Sequence, residues 1–97
     1  MKIRRVINDF SQHMEKRLRD NDRKPGWSKD TKEQLLEKLK DKVTELYIVL
    51  SKDEFSLFGK PVEEITKEAA DIANYAMMIH DNWGTKEVPP KDEEEDA

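Results

Sequence analysis

Apolar residues recur at steps of three and four in three successive stretches, the period of one helix face. The first stretch runs from about Lys2 to Asn21 and carries Ile3, Val6, Ile7, Phe10, Met14 and Leu18. Arg4, Arg5, Gln12, Lys16 and Arg19 fill its other sides. The break DNDRKPGW, punctuated by Pro25 and Gly26, ends it. A second helix is predicted to start near Asp30. Asp30 as N-cap and Glu33 three residues later would form a capping box that satisfies orphan backbone N–H groups. Leu36, Leu39, Val43, Leu46 and Leu50 then form a core-facing stripe, widened by Leu35, Tyr47 and Val49. In the next break, SKDEFSLFGKP, Phe55, Leu57 and Phe58 are expected to fold back onto the helices. Pro61 suits the first turn of a third helix, where its missing N–H is not needed. That helix is expected over Val62 to Asp81, with Ile65, Ala69, Ile72, Ala76 and Ile79 inward. Ala69, Ala70, Ala73 and Ala76 allow close approach of a neighbour.

Three helices and no persistent alternation predict an all-α fold, an up-down-up bundle of three main helices. One helical domain over residues 1–84 is expected, followed by a disordered acidic tail over 85–97. The tail's KDEEEDA run cannot bury apolar surface. Composition adds a partner. With 97 residues, 35% hydrophobic and 41% charged, the chain is poor in material for a closed core, so completion by homo-oligomerisation, as a homodimer or tetramer, is expected. The absence of cysteine removes disulfides, thiolate zinc sites and cysteine nucleophiles. A net charge of -4 argues against nucleic acid as partner. No apolar run is long enough for a membrane span, and MKIRR is followed by no apolar secretion segment, so a cytoplasmic protein is expected.

The chemistry lies in charges placed where a core is expected. With Ile72 at zero and about 100° per residue, Glu68 falls near -40°, Tyr75 near -60° and Asp71 near -100°. The three share one edge of the apolar face. Burying an unpaired carboxylate costs several kcal/mol, and two on adjacent turns repel each other. A divalent cation with hard oxygen ligands, magnesium or manganese, would remove both penalties. On the second helix, positions 42 and 45 mirror this pair, but position 42 is lysine. Lys42 could equally neutralise Glu68 or Asp71 in a partly buried ion pair, with no metal and no chemistry. His13 and His80 lie on different helices without an acid at ligand spacing, and there is no glycine-rich phosphate loop.

The stretches EITKEAADIANYAMMIHDN, LLEKLKDKVTEL and FSQHMEKRLRDNDRKPGW together resemble the MazG-like all-α nucleoside triphosphate pyrophosphatases, in particular small phage-type members described as dATP/dGTP pyrophosphohydrolases. The resemblance covers about residues 10–83. Its pattern is ExxE, a gap, then ExxD, four acids that hold magnesium. It implies Glu45, Glu68 and Asp71 as metal ligands and catalytic acids, with 22 residues between Glu45 and Glu68. Lys42 stands at the first glutamate of the pattern, with Asp41 as a substitute ligand one turn before Glu45 or Lys42 itself as a phosphate contact. Trp27 would stack on the base or else form a lid over the end of the bundle, and Asn74 and Tyr75 would touch sugar or phosphate, Tyr75 being otherwise an aromatic at the core edge. The activity implied is magnesium-dependent hydrolysis of a nucleoside triphosphate to the monophosphate and pyrophosphate. The alternative is a catalytically degenerate member that keeps the fold as a binding or interaction module.

Overall fold

The computed structural model describes residues 2–51 and 60–87, with the side chains of residues 60 and 61 left aside. They form three helices, α1 (Arg5–Asp20), α2 (Lys32–Leu50) and α3 (Lys60–Trp83), and no strand among the described residues. The dominant packing runs through α3, which lies against both α2 and α1. No helix among the described residues is long and apolar enough to cross a membrane. The expectations for Phe55, Leu57 and Phe58, and for the acidic run after Glu87, fall outside the described residues.

The start of α2 differs from the sequence reading by one residue. Thr31, not Asp30, is the N-cap: the Gln34 backbone N–H donates to Thr31 Oγ1 at 3.1 Å, and the Thr31 N–H donates to Gln34 Oε1 at 2.8 Å. This box satisfies two orphan donors reciprocally. A one-step slip is easy here because the adjacent positions 30 and 31, like 33 and 34, both carry capping residue types. Asp30 instead faces Lys38 at 3.9 Å. At the end of α1, the Asn21 amide donates to the Arg17 carbonyl at 2.9 Å, covering one of the last free carbonyls.

The core is small, and it is rotated from the expected stripes. On α2, Leu35 is fully buried (0% exposed) and Val49 is buried, while Leu36 is 52% exposed and Val43, Tyr47 and Leu50 are also exposed. With Leu39 at zero, the covered positions 35, 39, 42, 46 and 49 span about -80° to 0°, and the uncovered 36, 43, 47 and 50 span about 20° to 80°. The apolar arc of α2 is therefore only half covered. α3 repeats the pattern. Ala70 is buried, but Ala76, expected inside, is exposed, and Ile65, Ile72 and Ile79 are half-buried. The best-covered side of α3 instead carries Glu68, Asp71 and Asn74. α1 is half-buried from Phe10 onward, through Phe10, Met14 and Leu18, whereas Val6 and Ile7, and Ile3 before the helix, are exposed.

Candidate functional site

Three helices each direct a charged side chain to one junction. α3 contributes Glu68 and Asp71, only 4% and 8% exposed. α1 contributes Arg17, whose Nε donates to Asp71 Oδ1 at 2.8 Å and whose Nη2 donates to Asp71 Oδ2 at 3.0 Å. α2 contributes Lys42. Its Nζ lies 3.3 Å from Asp71 Oδ2, 3.5 Å from Glu68 Oε1 and 3.6 Å from Glu45 Oε1. The acids picked out in the sequence, Glu45, Glu68 and Asp71, thus do come together, around an ammonium. Glu45 is half-exposed at the rim, and Asp41 lies on the exposed side of α2.

Arg17 was missed by the sequence reading, yet it left a signal. With Phe10 at zero it falls near -20°, inside the apolar arc of α1. An arginine within a core-facing stripe requires a buried anion, and Asp71 supplies it through a two-pronged contact that guanidinium geometry favours.

Burial and charge pull the carboxyls in opposite directions. Burial alone would raise Asp71, but the hydrogen bonds and charges of Arg17 and Lys42 outweigh it and hold the carboxyl below its ordinary value. Glu68 is pushed up to about 7, first by burial and then by the neighbouring Glu64 carboxyl one turn back; Lys42 offsets this only partly. Its buried Oε1 accepts no hydrogen bond among the described residues and lies 3.5 Å from Lys42 Nζ. Burial works against the Lys42 ammonium, but Glu68, Asp71 and Glu45 keep it above its ordinary value, so it is charged at neutral pH.

As placed, these acids do not form a divalent-cation site. Magnesium takes oxygen ligands at about 2.0–2.1 Å, whereas the three carboxylates stand 3.3–3.6 Å from a centre that Lys42 Nζ already occupies. Both Asp71 oxygens are also bound by Arg17. Among the described residues, no group of three or more His, Asp or Glu side chains is arranged to hold a metal.

Beside this junction lies an open cleft of about 650 Å³, between α1, the 21–31 loop and α3. It gathers three of the side chains implied for substrate, Trp27, Asn74 and Tyr75, together with Asp71, and adds Arg17, Lys24 and Lys38. Lys42, Glu45 and Glu68 do not line it; Asp71 and Arg17 belong to both cleft and junction. Three of the four acids on its wall face cations: Asp71 faces Arg17, Asp30 faces Lys38, and Glu15 faces Arg19 at 3.0 Å; the fourth is Asp22. The loop is fastened to the end of α3. Trp27 Nε1 donates to Asp81 Oδ2 at 3.1 Å, and Asn82 Nδ2 donates to the Trp27 carbonyl at 2.9 Å. The Asp81 carboxyl is held below its ordinary value by that indole bond and by Lys86. Asn74 Nδ2 donates to the Met14 carbonyl at 2.9 Å, which ties α3 to α1, and its buried Oδ1 accepts no hydrogen bond.

No protein-family model, no curated protein and no solved structure matches the chain.

Proposed function

We propose that the chain is a MazG-like nucleotide pyrophosphohydrolase-type protein that binds a nucleoside triphosphate in the cleft between α1, the 21–31 loop and α3. The observation that carries this reading is that the 21–31 loop brings Trp27 into one cleft with Asp71, Asn74 and Tyr75 of α3. The indole offers a flat face for a base. The unpaired Asn74 Oδ1 offers an acceptor for a hydroxyl or amino group. Lys24 offers positive charge for phosphate, beside Arg17 and Lys38, whose charges are shared with Asp71 and Asp30. For such a ligand the resemblance implies hydrolysis to the monophosphate and pyrophosphate, with magnesium or manganese as cofactor. The acids surround Lys42 instead of leaving room for a metal.

The second reading, a binding or interaction module without turnover, is favoured by Lys42 at the centre of the three acids. One experiment separates the two. The chain is incubated with a panel of nucleoside and deoxynucleoside triphosphates in magnesium, and phosphate is read after coupling to inorganic pyrophosphatase. Signal above a Glu68→Ala control supports hydrolysis. Nucleotide binding by calorimetry without that signal selects the second reading. Neither binding nor turnover overturns both.

The up-down-up order and a homodimer or tetramer complete the proposal. The uncovered half of the α2 arc (Leu36, Val43, Tyr47, Leu50) and the half-buried Ile65–Ile72–Ile79 stripe of α3 are apolar surface that a second copy would cover. Light scattering on the full chain should give at least twice the monomer mass, and Tyr47→Lys with Leu50→Lys should reduce it to one. A wild-type monomer at micromolar concentration refutes this.

A further inference from the structure

We infer that the Lys42 ammonium is the resident cation of the three-helix junction, so that the carboxylate cluster is complete without a divalent metal. This inference does not depend on whether the cleft takes a nucleotide. Three observations carry it. The ammonium is within 3.6 Å of an oxygen from each of Glu45, Glu68 and Asp71, as a central counter-ion must be. The charge of Asp71 is already shared with Arg17 through two hydrogen bonds, so its oxygens are committed. And the cluster joins all three helices: Arg17 from α1, Lys42 and Glu45 from α2, Glu68 and Asp71 from α3. Removing Lys42 leaves Glu68 with no cation within ion-pair distance among the described residues.

The same geometry carries a corollary. Position 42 controls what the junction binds. A carboxylate there would turn the cluster into a strongly anionic pocket that needs a divalent ion to fold, and an uncharged side chain of similar length would leave the acids uncompensated.

The test is thermal melting of the full chain followed by circular dichroism, in EDTA and in millimolar MgCl₂ at matched ionic strength. It uses the wild type, Lys42→Met and Lys42→Glu. The wild type should melt at the same temperature in both buffers. Lys42→Met should melt lower than the wild type. Lys42→Glu should melt lowest in EDTA and rise by about 5 °C or more in magnesium, the size of shift expected when an ion binds only the folded state. If Lys42→Glu does not fold in EDTA, folding on addition of magnesium is the same result in stronger form. A wild type that gains several degrees from magnesium, or that binds it with one-to-one stoichiometry in calorimetry, overturns the inference. So does a Lys42→Met variant as stable as the wild type.

Discussion

Replacing Arg17 by methionine keeps most of the hydrocarbon stem and removes the guanidinium that grips Asp71. Two hydrogen bonds, at 2.8 and 3.0 Å, are lost. A hydrogen bond to a charged group contributes roughly 1.5–3 kcal/mol, and breaking a fully buried ion pair from one side costs about 3–5 kcal/mol. Two features lower the figure here. Arg17 keeps a quarter of its side chain in solvent, and Lys42 remains 3.3 Å from Asp71 Oδ2, so the carboxylate is not left alone. A loss of about 2 kcal/mol follows, equivalent to a fall of roughly 8–16 °C in melting temperature for a domain of this size. The assay is urea unfolding at fixed protein concentration for the wild type, Arg17→Met, Asp71→Asn and the double variant. The coupling energy between the two positions should be about 2 kcal/mol. A coupling below about 0.5 kcal/mol would refute the claim that this contact fastens α1 to α3, since an exposed surface pair contributes that little.

Three further outcomes follow from the same coordinates. Glu68, raised in the folded state to about 7 from 4.5, binds more protons folded than unfolded between those values. Stability should therefore fall as pH rises from about 4.5 to 7, and Glu68→Gln should remove that slope and be more stable than wild type above pH 7 by about 2–3 kcal/mol; parallel curves for the two proteins would contradict this. In the Tyr47→Lys, Leu50→Lys monomer, Leu35→Ala should cost about 2–5 kcal/mol and Leu36→Ala under about 1 kcal/mol, because Leu35 is fully buried within one chain and Leu36 is not; equal losses in that monomer would contradict the packing of α2. Thr31→Ala should cost about 1 kcal/mol by loss of the cap and Asp30→Ala less, which denaturant unfolding can resolve.

The three helices were legible because their apolar periods are long and regular, and α1 and α3 need no more than that. What periodicity could not show is which part of a wide apolar arc is covered. On α2 the stripe centred on Leu39 and Val43 includes both halves, and only packing against α3 distinguishes Leu35 from Leu36. On α3 the inner stripe was read from Ile65, Ile72 and Ile79, yet the most deeply covered side carries Glu68, Asp71 and Asn74. Hydrophobicity is a poor guide to burial where charges satisfy one another across helices. The candidate acids were found because they stood out inside an apolar arc. Arg17 meets the same criterion, but it stands in the last turn of α1, where a basic residue is ordinary next to the helix dipole. The cleft itself was not readable, since it depends on how the 21–31 loop is tied by Trp27 and Asn82 to the end of α3.

The most direct measurement is a calorimetric titration of dATP into the full chain, once in EDTA and once with magnesium. A cleft that brings Trp27, Lys24, Asn74 and Tyr75 together, beside a junction whose cation is Lys42, predicts saturable binding of one nucleotide per chain in EDTA, weakened by Trp27→Ala. Absence of heat in both buffers would contradict the cleft as a nucleotide site, and one-to-one binding of magnesium to the chain without nucleotide would contradict the place given to Lys42.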